Sequence, residues 1–525
     1  MESRDEIQMN MPECPTDLDN LTNTDGNSAL LAADEFVTRF DLAGSRNEIR
    51  RAVLWYYYPD EYPDMADDMP SWPRPENAPL AKIPINWISV CYAAGLASLL
   101  LSDPGSGQSI HYSTDLTDLY LMLPALYPAP LGCVLSLISN LYYGRRQAFR
   151  LGGSMALVAS IWWLTDLLSD RHFWRSSFSE VAAIVLISTS LLYITETRKS
   201  STRGHSFVMW YTGVVAFSSI LRFISRISLL ITPIFAVIAS LILLIFSVAM
   251  PESPYWLAST GNVRDAYYSL RRMRETPTEA GRDIYQMYDT IFSRQHQFKD
   301  DTVESPLGRS AEPEPSRDPA TRKLCSPVIA CILLMFTRGF SNVFVFGRSL
   351  SFLKDTFSAN TSYFHKWVFF PLVRLIAIIL VSPFAIHLQR KRTTLSALCG
   401  MCFCIFSATV ATFAEDQIAD EVFEIGCSLL HLFAEVPITL FISEIFPLVG
   451  RELGISLAVS IYFGSTFVLG HLIYLLQRFD LEFVYLGVLL ILLPTAAFQI
   501  SRVTKETKGM SLEHNSLGFA ALTSF

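Results

Sequence analysis

Uncharged apolar blocks of about 20 residues recur along this chain, and nothing else in it constrains the fold as strongly. That length crosses about 30 Å of hydrocarbon as an α-helix. In lipid every backbone N–H and C=O must find a partner inside the protein, so spanning segments are helices unless they close into a barrel. The blocks lie at about 84–102, 118–141, 151–168, 178–197, 206–226 and 228–250. They resume at about 326–347, 368–388, 394–413, 422–443, 453–475 and 480–501. Twelve such blocks fill roughly half of the 525 residues, in keeping with a chain that is 51% hydrophobic and only 17% charged. Soluble domains carry about 25% charged residues. A soluble enzyme, a fibrous protein and a disordered chain are all disfavoured, and the reading is an all-α membrane protein.

Polar intervals divide the chain. Residues 1–83 carry Pro, Asp and Glu and are expected to form a largely flexible cytoplasmic leader, with one short helix near 45–57. Residues 84–250 hold six spans, 251–325 form a charged cytoplasmic loop, 326–501 hold six more, and 502–525 are a cytoplasmic tail. With both termini inside, the short inner connections and the tail carry thirteen basic residues against eight outside, which is the sense of the positive-inside rule. The same orientation places Asn360-Thr361-Ser362 outside, making Asn360 a glycosylation candidate. Pro124, Pro128 and Pro130 fall in the second span, which is expected either to kink or to begin its regular helix near Gly132.

Several chemistries find no support. The 41 basic and 49 acidic residues leave no positive excess for nucleic acid. Cys399-x-x-Cys402-x-Cys404 has a metal-like spacing, but it lies in an apolar block with no nearby His, so packed thiols are expected and no metal. The polar segments hold no phosphate-cradling glycine loop and no nucleophile–base pattern, so neither a cofactor nor an enzymatic activity is expected.

The two halves echo each other. Glu196 and Arg203 stand seven apart after the fourth span, and Glu444 and Arg451 stand seven apart after the tenth, at an offset of 248. Gly144-Arg145-Arg146 after the second span answers Arg390-Lys391-Arg392 after the eighth. Pro251-Glu252-Ser253 after the sixth answers Lys505-Glu506-Thr507 after the twelfth. A duplicated six-helix unit follows, and repeats about an axis along the membrane normal place a solute site at the midplane between halves.

Three segments resemble the organic cation and anion transporter family of the major facilitator superfamily, a group of solute carriers. Pro251–Met273 (PESPYWLASTGNVRDAYYSLRRM) resembles that family's PESPRWL segment, and Ser443–Gly454 (SEIFPLVGRELG) its E-x-x-P-x-x-x-R segment. Lys505–His514 (KETKGMSLEH) is similar to the PETKG-x-x-L tail that the family shares with sugar porters. The resemblance covers about residues 84–514 and implies twelve transmembrane helices in two pseudo-symmetric bundles that move small organic ions. It implies that helices one, four, seven and ten line a central cavity. The chain departs from the family pattern at Leu141, where an Asp is usual, and at His387, where an acid is usual. Residues 103–117 form a short Cys-free loop, and Phe463 occupies the family's charge-selecting position, leaving the sign of the solute's charge unassigned.

Ionisable groups inside hydrocarbon cost about 2.5–3.5 kcal/mol each on insertion scales, so they call for a reason. Glu424, His431 and Glu435 share one stripe of the tenth span at spacings of seven and four. Arg338 lies mid-way along the seventh, and a pairing of Arg338 with Glu435 across the cavity is expected. These four residues and Phe463 are the candidate solute or ion contacts, with His431 suited to relay a proton. A buried network that merely braces two helices stays open as the alternative. Glu180 and His471 are expected at the solvated interface. Arg145, Arg146, Glu196, Arg203, Glu252, Glu444, Arg451 and Glu506 all fall on the cytoplasmic side and are candidates for a latch between bundles. The expectation is a monomeric carrier in the plasma membrane whose partners are the lipid bilayer and a small organic solute. A transport-inactive relative serving as membrane scaffold or sensor is the alternative.

Overall fold

A computed structural model of the chain describes residues 24–58, 91–97, 127–166, 173–224, 230–274, 276–303, 328–341, 376, 389–414, 417–446, 450–478 and 482–503. Helix dominates and no strand occurs among the described residues. Two compact units emerge, one drawn from Met1–Pro79 and Pro254–Leu307, the other from Leu80–Ser253 and Gly308–Phe525.

The smaller unit joins two stretches far apart in sequence. Helices α1 (Thr24–Arg39) and α2 (Arg46–Tyr57) come from the segment that its composition marks as a flexible leader. Residues 91–97, within the first apolar block, form α3 and belong to the larger unit. Leaving α3–α8 to the other unit, α9 (Pro254–Ser259), α10 (Val263–Met273) and α11 (Pro277–Val303) complete the smaller one. Ala29, Ala33, Phe36 and Val37 repeat at helical spacing and are buried, as are Ile49, Ala52 and Val53 of α2. Neither stripe could fold alone; each needs the other and the 254–303 helices to bury it. Phe36 and Phe40 meet Tyr288 at ring-centroid distances of 5.1 and 5.2 Å, and the Arg282 guanidinium lies 3.9 Å over Trp55.

One carboxylate staples this unit. Asp34 accepts paired hydrogen bonds from Arg46 at 2.8 Å and from Arg50 at 2.8 and 2.6 Å. These two guanidiniums hold its carboxyl far below the usual carboxylate range. Because the folded form binds its proton less readily than the unfolded one, the staple is fully present above about pH 4 and weakens as pH falls below that. Asp34→Asn is therefore expected to lower the stability of α1 by about 1 kcal/mol, the upper end for exposed pairs. Hydrogen exchange of α1 in the full chain at neutral pH reads this directly, and unchanged protection would refute it.

The larger unit holds α4 (Pro128–Ile138), α5 (Gly144–Asp166), α6 (Phe173–Thr197), α7 (Ser200–Ile224) and α8 (Ile231–Ala249) from the first half. The second half supplies α12 (Val328–Ser341), α13 (Arg390–Phe413), α14 (Gln417–Ile445), α15 (Arg451–Arg478) and α16 (Glu482–Val503). The twofold echo of the sequence reappears as packing: α5 lies on α6 and α8, and α13 lies on α14 and α16. Pro128 and Pro130 sit in the first turn of α4, where the N–H groups have no intrahelical acceptor, so neither proline kinks it. Pro124 and all but one residue of the eighth block fall outside the described residues.

Burial separates inner helices from outer ones. Of the Phe178–Thr197 span 89% is buried, against 39% of Ile231–Ala249. On α8, Ile234, Ile238, Leu241, Ile245 and Val248 form one exposed apolar stripe, as Phe403, Phe406 and Val410 do on α13. These stripes face lipid. Glu180, expected at the solvated interface, is instead buried in α6, because α4, α5 and α15 all pack on that helix.

Candidate functional site

Arg338 and Glu435 lie buried together where α12 meets α14, at 6% and 3% exposure, and not on the lipid-facing perimeter. Arg338 Nη2 donates to Glu435 Oε1 at 3.1 Å, and its Nη1 donates to Thr439 Oγ1 at 2.5 Å. Thr439 spends its own hydroxyl proton on the Glu435 carbonyl at 2.8 Å, so towards Arg338 it can only accept. From α15, Tyr462 places its ring under the guanidinium, 4.6 Å from ring centroid to Cζ. Ser341, one turn beyond Arg338, donates to the Arg338 carbonyl and stands 3.0 Å from His431 Nδ1. Three helices of the second half thus converge on one guanidinium. Tyr211 of α7, from the first half, lies near enough to act on it electrostatically.

A second cluster gathers at the helix ends where α4 and α6 finish and α5, α7, α13 and α15 begin. Arg145, 1% exposed, donates from Nε and Nη2 to the two oxygens of Glu196 at 2.9 and 2.6 Å. Its Nη2 also reaches Glu452 Oε1 at 2.6 Å, and Nη1 donates to the Asn140 carbonyl at 2.8 Å. The equivalent pair in the second half is Arg390 with Glu444. Ion pairs cross between halves, among them Arg145–Glu452, and Arg203–Glu444 at 3.7 Å. Beside them Ser136 of α4 and Ser456 of α15 share a fully buried hydrogen bond of 2.9 Å.

Neighbouring groups make further contacts at the same helix ends. The Glu252 carboxylate accepts from the backbone N–H of Arg145 and Arg146, capping α5. Burial raises its carboxyl pKa, and those same N–H groups oppose the shift. Arg146 returns the favour by donating to the Ser247 and Val248 carbonyls at the end of α8. Arg451 reaches back to the Phe446 carbonyl.

The structure therefore brings together Arg338, Glu435 and His431 at one place, and Arg145, Glu196, Arg203, Glu252 and Glu444 at another. Phe463 is half-buried beside Tyr462, the two rings 5.5 Å apart. The side chain of Glu424 and the whole of Glu506 and Asn360 lie outside the described residues. Sequence reasoning missed Glu452, Thr439, Ser341 and Tyr462, and it named Arg390 in the repeat without making it a latch candidate. Glu452 escaped because its counterpart at offset 248 is Gly204, so it never showed in the repeat. Gly204 faces Arg390: a Cβ there would lie 2.9 Å from its Nη2. Spacing could have found Tyr462, which stands next to a residue singled out for its position.

The model of the sugar (and other) transporter family matches residues 129–519. No curated protein sequence matches. Among solved structures the chain is similar to the major facilitator superfamily proton:xylose symporter XylE of E. coli bound to 6-bromo-6-deoxy-D-glucose. That likeness has a TM-score of 0.66 at 16% identity and covers 83% of this chain and 99% of that one. The inward-open form of the same transporter aligns with a TM-score of 0.51 at 15% identity, over 82% and 97%. The human organic anion transporter MFSD10 aligns with a TM-score of 0.51 at 11% identity, over 81% and 100%. At such identities these likenesses speak to the fold alone.

Proposed function

The chain belongs to the sugar (and other) transporter family, and from that premise we propose that it carries a small organic solute by alternating access between its two halves. It is a multi-pass membrane protein of the major facilitator superfamily fold and a transporter rather than an enzyme. The finer reading is a carrier of organic ions in the plasma membrane with both termini cytoplasmic. The Pro251–Pro254 segment and the Glu444-x-x-Pro447-x-x-x-Arg451 segment support it.

One observation carries the mechanism. Arg145–Glu452, Arg203–Glu444 and Ser136–Ser456 tie the first half to the second at a single end of the helices. Charged and hydroxyl groups buried across a moving seam form a gate: paired they exclude water, and parted they are each resolvated. On this reading the described state is closed towards the cytoplasm, and rocking the halves apart breaks all three ties. The solute path then runs between the halves past Arg338, Glu435, His431 and Tyr462.

The Ser136→Cys/Ser456→Cys double variant tests the gate, since its Sγ atoms would replace hydroxyls 2.9 Å apart. Uptake of labelled cations, anions, zwitterions and sugars would be measured in proteoliposomes, with oxidised wild type as control. Oxidation of the variant should reduce uptake to background and a reductant should restore it. Undiminished uptake by the cross-linked protein would end the alternating-access reading. Wild type that moves no member of the panel would point to a scaffold.

A further inference from the structure

We propose that Arg338 and Glu435 form a proton-operated anion site, in which protonation of Glu435 hands the Arg338 guanidinium to a carboxylate of the solute. The inference rests on the transport reading and deepens it by assigning the solute's charge and its coupling ion. One proton and one organic anion would then travel together.

The argument starts from an asymmetry within the pair. A guanidinium keeps its charge at any pH a protein meets, whereas a carboxylate gives its charge up by accepting a proton. Both groups are almost completely buried, so neither tolerates losing its partner without compensation. Were an organic cation to take Glu435, Arg338 would be stranded with no means of discharge. An organic anion that takes Arg338 strands only Glu435, and a proton cures that. The solute sign compatible with a buried Arg–Glu pair is therefore negative, and the proton is the ion that accompanies it.

The local geometry suits this exchange. Thr439 accepts from Arg338 Nη1 and Tyr462 supports its face, so the guanidinium stays in place when Glu435 lets go. Thr439 is thus a positioning residue. Arg338 Nε is buried and has no acceptor among the described residues, which leaves one edge of the fork for a second oxygen. The other titratable groups facing the pair agree in sign. His431, one turn before Glu435 on α14 and hydrogen-bonded to Ser341, adds positive charge when protonated. Tyr462 from α15 and Tyr211 from α7 also face the guanidinium. Glu424 lies earlier on α14, about three turns before Glu435.

Binding of proton and anion must therefore be mutually favourable, and the coupling is reciprocal. The test uses purified full-length protein with benzoate and succinate as anionic probes, glucose as neutral and tetraethylammonium as cationic. Apparent affinity is read from thermal stabilisation between pH 5.5 and 7.5, and proton uptake from an indicator dye in weak buffer. An anionic probe should bind more tightly as pH falls, by up to about tenfold per unit, with one proton taken up per anion bound. Glu435→Gln should retain the anion but lose the pH dependence, and Arg338→Gln should lose the anion. Anion affinity independent of pH in wild type, or failure of both anions at every pH, overturns the proposal. If glucose or tetraethylammonium binds while the anions fail, this inference falls and the transport reading stands. Should either variant fail to fold, the proton stoichiometry of wild type decides alone.

Discussion

Arg145→Gln is expected to destabilise the larger unit by about 3–5 kcal/mol, the cost of removing one partner from a buried ion pair. Arg145 answers the carboxylates of Glu196 and Glu452 and the Asn140 carbonyl at once. Glutamine cannot reach all three, and Glu196, 2% exposed, is left charged in a place with little water. Glu452→Gln should behave differently. Glu452 is 13% exposed and the Arg145–Glu196 pair survives its loss, so folding should suffer little while the tie between halves weakens. Thermal unfolding in detergent separates the two cases. A double Arg145→Met/Glu196→Met change removes both charges and should recover much of the loss. A midpoint for Arg145→Gln equal to wild type would show that the pair contributes nothing to stability.

Gly339→Ala is the second change with a large expected effect. A Cβ at Gly339 would overlap the Ser465 hydroxyl and come within 3.1 Å of the Tyr462 carbonyl, which is backbone and cannot turn aside. Helix α12 would have to move off α15, at about 1–3 kcal/mol for overpacking, carrying Arg338 away from the Tyr462 ring. If Arg338 holds the solute as proposed, solute binding should fall with stability, because the displaced guanidinium belongs to the residue just before Gly339. Adding Ser465→Gly removes both clashing side-chain atoms and should restore part of each. Wild-type melting and binding in the single variant would mean that the two helices are not in the contact described.

Much of this was legible in the sequence, and the rest hid for identifiable reasons. Arg338 and Glu435 stood out because ionisable groups in apolar blocks are costly, and the same cost makes them pair. The repeat pointed to Glu196 and Glu444, and each proved to hold an arginine at the start of the preceding helix, α5 or α13. Thr439 and Ser341 could not be singled out, since hydroxyls are common in membrane helices and only the fold says which face a guanidinium. The composition of residues 1–83 as a whole masked the stripe of Ala29, Ala33, Phe36 and Val37. Averages dilute a short amphipathic pattern, and its burial depends on a partner some two hundred positions away.

That separation bears on how the protein is made. Helices α1 and α2 leave the ribosome well before α10 and α11, with the residues between Tyr57 and Val263 still to be synthesised. At about 5–20 residues per second the wait is roughly ten to forty seconds. During it Phe36, Val37, Ile49 and Val53 have only each other's helices to rest on, while the apolar blocks of the first half are still being made. A nascent chain stalled before Val263 would therefore present a sticky amino-terminal face to chaperones, and completion of the middle segment would withdraw it.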